Sequence, residues 1–292
     1  MNNEDDIKLL CLYHNKALIN TDRPFLFNIQ CGASEMDTHL PMQGDDVGDN
    51  ISARNRHWSE MTGLYWAWKH MEKVPYVGLC SYRRFFNFQL DGGKPIAILD
   101  IAQGQKFVDN YTLPAAQDLF RDADVVAPVP YTYAYSIARV CSMNYNDEDF
   151  AVLQRVVKEK YPEYLDAYRV HLYENNKMIG HNMFIMNWDT FTRYCSWVFD
   201  ILLEVERRID PTHYPIHQVR VFGYMHEILL EVFIKKNKLR VKQSQILWVD
   251  ANAKKTHFNS FFYRAAANIV YRVSRLLQPN YQHLAKKKLH QA

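Results

Sequence analysis

The chain has 292 residues, 48% hydrophobic and 23% charged, with a net charge of +3 at pH 7. This is the make-up of an ordinary globular protein able to bury a large core, and the charge is too small to argue for a nucleic-acid partner. No apolar run nears the ~18 residues of a spanning helix, the acidic start MNNEDDIKLL lacks a signal-peptide layout, and five scattered cysteines form no C-x-x-C pair, so the expectation is a cytoplasmic protein with reduced thiols.

In chain order, Ile7–His14 (IKLLCLYH) is an apolar run ending in polar residues, the pattern of a buried first strand. Phe25–Cys31 predicts a second strand, closed by Gly32. The polar stretch Gly44–Asn55 (GDDVGDNISARN) reads as a loop, with Ser52 or Asn55 able to cap the next helix. Ser59–Met71 places Met61, Leu64, Tyr65, Trp68 and Met71 at helical spacing, and Pro75 ends that segment. Tyr76–Cys80 (YVGLC) predicts a buried strand, followed at once by Ser81-Tyr82-Arg83-Arg84. Next come a glycine-containing loop, a weak helix near Leu113–Phe120, and a strand at Asp124–Pro128. Helices are expected at Asp149–Lys160, Pro162–Leu172, Asp189–Arg208 and Gln218–Lys235, with strands at Met183–Met186 and Leu239–Val249. Short apolar strands alternating with helices imply an α/β fold, a central sheet with helices on both faces. Ligands of such sheets bind beyond the carboxyl ends of the strands, which directs attention to the polar residues just after Leu12, Gln30 and Leu79.

Arg83 and Arg84 are the sharpest feature. A guanidinium offers a planar fork of donors matched to phosphate oxygens, and fixed cations stabilise a diphosphate that gains charge as it departs. The same pair would equally serve as surface salt-bridge partners. Asp49, Asn50 and Ser52 suit sugar hydroxyls, or a turn and helix cap. On the following helix Trp68 reads as core, while Trp66 and Lys69 face either the cleft or solvent. His181 and Asn182 precede a strand, and Arg220, Gly223, His226 and Glu227 share a helix. Glu227 has the chemistry of a general base toward a hydroxyl, or of ordinary helix-surface charge. P-loop, dinucleotide-binding and nucleophile-elbow motifs are absent, as is zinc spacing. The D-x-D strings Asp122–Asp124 and Asp147–Asp149 do not follow an apolar strand, so no metal ligands are assigned; a divalent Mn or Mg ion stays open.

GDNIS-x-x-N (Gly48–Asn55), E-x-T-x-L-Y-W-A-W-K (Glu60–Lys69) and YVGL-x-x-YRRF (Tyr76–Phe85) resemble a family of bacterial capsule and O-antigen loci, domain of unknown function 4422, regarded as glycosyltransferases. The match includes IQ-x-G (Ile29–Gly32) before them and KEKYPEYL (Lys158–Leu165), NMFIM (Asn182–Met186), Y-C-x-W-x-F-x-I-L (Tyr194–Leu202) and R-V-F-G-x-x-x-E-x-L (Arg220–Leu229) after them. The resemblance runs from Ile7 to Val249. It implies a single GT-A-like nucleotide-sugar-binding domain over residues 1–258, with a UDP-sugar donor, in some relatives a galactofuranose or galactose donor. It departs at Ser81, where the family usually has His, and at Cys141–Asn146, where it tends to carry histidines.

Residues 259–292 are expected to form a basic helical tail. Phe261–Leu277 sets Phe262, Ala266, Ile269, Val273 and Leu276 on one side, and from Phe261 onward there are six Lys/Arg and no acid. Such a segment suits the anionic inner face of the cytoplasmic membrane, or a terminal helix packed on the domain.

The combined expectation is sugar transfer from a UDP-sugar to a lipid-linked oligosaccharide. Arg83, Arg84 and Glu227 are the catalytic candidates. His14, Gln30, Gly32, Asp49, Asn50, Ser52, Lys69 and Tyr82 are expected to bind donor, and His181, Asn182 and Arg220 acceptor. A non-catalytic carbohydrate-binding protein of the same pathway is the alternative. Nucleic-acid binding ranks last, for want of a recognition signature.

Overall fold

The structure is a computed structural model and describes residues 6–14, 19–88, 95–252 and 260–277. The strands are β1 Ile7–Tyr13, β2 Leu26–Gln30, β3 Gln43–Gly44, β4 Tyr76–Ser81, β5 Arg84–Asn87, β6 Ile96–Leu99, β7 Val125–Pro128, β8 Tyr131–Thr132, β9 Lys177–Met178, β10 Phe184–Asn187 and β11 Val241–Val249. The helices are α1 Asn55–Trp58, α2 Met61–His70, α3 Ile101–Asp109, α4 Ala116–Phe120, α5 Ile137–Asn144, α6 Asp147–Lys160, α7 Leu165–Tyr173, α8 Trp188–Glu206, α9 Val221–Lys236 and α10 Phe261–Leu277.

Two compact units are distinguished. The first takes its described residues from 6–129, 180–197 and 239–252. It holds a nine-stranded mixed sheet. β1 lies parallel between β2 and β4, and β3 extends the parallel edge. β10 joins β4 to β7, antiparallel to both. β11 runs parallel to β7 and β6 and antiparallel to β5. β1 is buried on both faces, so it reads as a continuous apolar run rather than an alternating one. Its odd residues, Ile7, Leu9, Cys11 and Tyr13, enter a core shared with Phe25, Phe85 and Tyr111. This is the central sheet of the α/β fold expected from the sequence, here with parallel and antiparallel pairs mixed. The parallel register matters for the site: it brings the carboxyl ends of β1 and β4 side by side, with Leu12 opposite Ser81.

The second unit takes its described residues from 130–179, 198–238 and 260–277. It is mainly helical, with α7 packed along α9 and the two-stranded ribbon β8–β9 beside them. Helix α9 is buried on nearly every side, from Val221 to Ile234. The segment expected as a separate tail groups here, as α10 against β8. No helix of the described residues is long and apolar enough to cross a membrane. Lys286, Lys287 and Lys288 lie outside the described residues.

Candidate functional site

In the first unit the chain turns sharply at the end of β4. Ser81 pairs with Arg84 across the turn, so Tyr82 and Arg83 form its tip. The Tyr82 amide donates to the Leu12 carbonyl (3.2 Å) and the Val249 amide donates to the Arg83 carbonyl (2.8 Å), tying the turn to β1 and β11. The two guanidiniums then share one support. The Trp248 ring centroid lies 5.6 Å from Arg83 and 4.9 Å from Arg84. Arg83 also lies 5.6 Å from the Tyr82 ring, itself stacked on Tyr13 at 5.4 Å. Cations over indole faces are attracted by the ring quadrupole, so the pair is oriented by aromatic walls. No carboxylate forms an ion pair with Arg83 among the described residues.

The same end of the sheet gathers His14, Glu60 and Asn182. Ser59, with a positive φ of 53°, swings the chain into α2 and leaves Glu60 at its N-terminus, where the helix dipole favours a carboxylate. Asn182 Nδ2 donates to Glu60 Oε1 at 2.9 Å, and His14 Nε2 lies 3.9 Å from Glu60 Oε2. His181 and Asn182 both have left-handed backbone, φ 70° and 54°. Two successive non-glycine residues there cost roughly 1–2 kcal/mol each, and such strain concentrates at functional sites. The His181 ring meets Trp248 edge-on at 5.9 Å. Burial lowers the His181 pKa to about 3, helped by Arg84 and Arg83 and opposed by Glu60, so its imidazole is neutral at pH 7.

The loop residues expected at the donor are held differently. The buried Asp45 carboxylate accepts from the amides of Gly32 (2.9 Å) and Ala33 (3.0 Å) and from Ser52 Oγ (2.5 Å). Ser52 Oγ in turn accepts from the Ser34 amide. Gly32 sits at φ 69° with Asn55 only 2.7 Å from where a Cβ would be, so both conformation and space demand glycine. Asn50 donates to the Asp46 and Gly48 carbonyls and accepts from the Ser52 amide. Buried Gln30 clamps the next loop through Thr38 O and Leu40 N. Asp49 accepts from the Tyr65 hydroxyl at 3.0 Å and lies 3.4 Å from Lys69 Nζ, which sits over the Trp68 ring at 4.1 Å.

The structure therefore brings together Arg83, Arg84, Tyr82, His14, His181 and Asn182, with Glu60 and Trp248 added. Glu60 stood in the sequence only as the first residue of the block Glu60–Lys69, with no role assigned. Trp248 lay in a strand without a motif, and no local signal marks it.

Glu227 and Arg220 belong to the second unit. Arg220 is exposed at the start of α9. Glu227 lies within electrostatic reach of Tyr133, Cys141 and Tyr145, raising the pKa of each behind the larger effect of burial. Among the described residues no three His, Cys, Asp or Glu side chains are gathered as a metal site. Asp124 is bound in a two-pronged pair by Arg240 (3.0 and 2.9 Å), and Asp149 accepts from the Tyr214 hydroxyl.

The fold has a solved counterpart. A structure titled WbbM bifunctional glycosyltransferase, in its apo form, matches with a TM-score of 0.76 at 24% identity, over 84% of this chain and 45% of that one. This chain thus spans less than half the length of that protein, and the likeness establishes a glycosyltransferase-like fold. No curated protein matches the sequence. The family described as domain of unknown function DUF4422 matches residues 8–238, well over half of the chain, and the protein belongs to that family.

Proposed function

We propose that the protein is a glycosyltransferase that moves a sugar from a UDP-sugar to a hydroxyl of a lipid-linked oligosaccharide. The observation that carries this reading is the Arg83–Arg84 pair, mounted on Trp248 beside Glu60, Asn182 and the neutral His181. In such a transfer the bond from the anomeric carbon to the diphosphate oxygen breaks, and its electron pair leaves with UDP. The acceptor oxygen bonds to that carbon and gives up its proton. Negative charge grows on the departing phosphate, so donors already aimed at it stabilise the transition state more than the ground state.

Arg83 and Arg84 supply those donors. Their aromatic support means little reorganisation is needed when charge develops. Glu60, His14 and Asn182 form a hydrogen-bonding group at the sheet end suited to sugar hydroxyls, with Tyr82 as an apolar wall. Gln30, Gly32, Asn50 and Ser52 act at one remove by fixing the loops that border the donor, while Asp49 and Lys69 line the same border. Arg220 is proposed for acceptor binding and Glu227 for the base, on sequence grounds alone. A Glu227→Gln variant that releases UDP at the wild-type rate would remove Glu227 from the scheme.

The test is release of UDP from a panel of UDP-sugars with glycolipid acceptors. Turnover that vanishes in the Arg83→Ala/Arg84→Ala protein, with its melting temperature kept, supports the reading. Donor binding without any turnover, in wild type and variant alike, favours a carbohydrate-binding protein instead.

A further inference from the structure

Helix α10 wears its apolar residues on the wrong side for a packed terminal helix. Ala267 and Tyr271, one turn apart, are the buried positions of the helix. On the opposite side Phe262 is 83% exposed, Ile269 64% and Leu276 81%. At 3.6 residues per turn these three share one stripe, so the amphipathic helix turns its apolar face outward. Packing within the unit gives no reason for that arrangement; an apolar phase outside the protein does.

A cavity of about 600 Å³ lies along one border of the stripe. Arg272, Arg275 and Lys177 line it with Asn176, Asn268 and Tyr271. Asn176 Nδ2 donates to Asn268 Oδ1 (3.0 Å) and to the Tyr133 carbonyl (2.8 Å), which fixes the helix to the β8–β9 ribbon. Arg275 lies against the Tyr271 ring at 5.8 Å. No carboxylate pairs with Arg272, Arg275 or Lys177 among the described residues, and Glu174 is the acid within electrostatic reach of Tyr271. The helix sequence itself contains no acid.

We propose that this cavity receives the phosphate headgroup of an anionic phospholipid while the Phe262–Ile269–Leu276 stripe enters the outer acyl layer, docking the second unit on a lipid surface. Two guanidinium forks match phosphate oxygens. A cationic border next to an apolar stripe is the layout of a helix lying in a membrane interface. A protein partner would be met as well by charges of both signs; the single sign here matches a bilayer carrying anionic lipid. The inference rests on the lipid-linked part of the proposed function and is separable from the chemistry: UDP release from a soluble acceptor without vesicles tests the enzyme, and vesicle binding tests this surface.

The experiment is co-sedimentation of the full chain with vesicles of equal parts phosphatidylglycerol and phosphatidylcholine, against phosphatidylcholine alone. We expect binding to the mixed vesicles at least about tenfold tighter than to the neutral ones, weakening with added salt. Arg272→Glu/Arg275→Glu should abolish that preference. Phe262→Ser/Ile269→Ser/Leu276→Ser should abolish sedimentation altogether, with circular dichroism unchanged because all three side chains are exposed. A thermal-shift titration with glycerol phosphate separates lipid from free phosphate, since only weak millimolar binding is expected. Equal binding to both vesicles, wild-type binding by the arginine variant, tight binding of soluble glycerol phosphate, or self-association without vesicle binding that the serine variant removes would each overturn the proposal.

Discussion

Two polar regions at the same end of the first unit's sheet are built on opposite plans. Around Asp45, the side chains of Asn50 and Gln30 spend their hydrogen bonds on backbone amides and carbonyls, and Ser52 links the Ser34 amide to the Asp45 carboxylate. Around Trp248, Arg83 and Arg84 rest on aromatic faces, and His181 and Asn182 hold strained backbone. The first region resembles the inside of a turn, where every donor has found its acceptor. The second holds cationic charge against aromatic faces and left-handed backbone at two successive non-glycine residues. Short polar residues in a motif are thus weak guides to ligand contact. Charges fixed on apolar supports are stronger ones.

The comparison breaks first at the arginines. The Arg83→Ala/Arg84→Ala protein should lose at least about a hundredfold in kcat for UDP-sugar turnover, the scale of removing preorganised donors, with an unchanged melting curve. Loss of folding instead would make the pair structural. In the loop region the reverse is expected. Asp45→Ala leaves three buried donors without their acceptor, at about 1–3 kcal/mol each. Urea unfolding should therefore show a loss of about 3 kcal/mol or more, and a loss near zero would mean the loop is not held as described. Trp248→Leu should sharpen the picture. It removes the support but keeps the charges, so we expect KM for the donor to rise about tenfold, in line with desolvated cation–π contacts, and stability to fall little.

The smallest effect lies in the second unit. Burial raises the Glu231 pKa to about 8, opposed by the hydrogen bond from the Ile179 amide (2.5 Å) and by Lys235, and reinforced by Glu227. Its neighbour His171, 3.7 Å away, is lowered to about 3 by burial and Lys235. The folded state therefore keeps the Glu231 proton to higher pH than the unfolded chain, whose carboxyl titrates near 4.5. Stability is full below that value and falls as pH rises through about 8. Glu231→Gln retains an oxygen for the Ile179 amide and removes the ionisation. Its melting temperature should exceed the wild type's by a few degrees at pH 9 and not at pH 5. Parallel pH profiles for the two proteins would contradict this.

Much of the fold was legible because periodicity reports burial. α10 appears at its expected bounds, Phe261–Leu277, and β1, β4 and α2 lie within a residue or two of theirs. β5 was not legible, because the turn at Tyr82-Arg83 contains no Gly, Asn or Pro and sends no turn signal. α3 went unread although Asp100 and Gln103 form a capping box. Gly104 sits in its first turns and spoils the pattern, and only the fold shows why it is glycine: a Cβ there would meet Val249 at 2.6 Å. The arginine pair was readable from its place after an apolar strand. The Glu60–Asn182 bond joins residues 122 positions apart through the β4–β10 pairing, and Trp248 arrives on β11, so neither could be read locally.

The most direct measurement is a crystal structure of the protein with UDP bound. The diphosphate should lie within hydrogen-bond distance of the Arg83 and Arg84 guanidiniums, near Trp248. A nucleotide seated away from both arginines, or a protein that takes up no UDP at millimolar concentration, would contradict it.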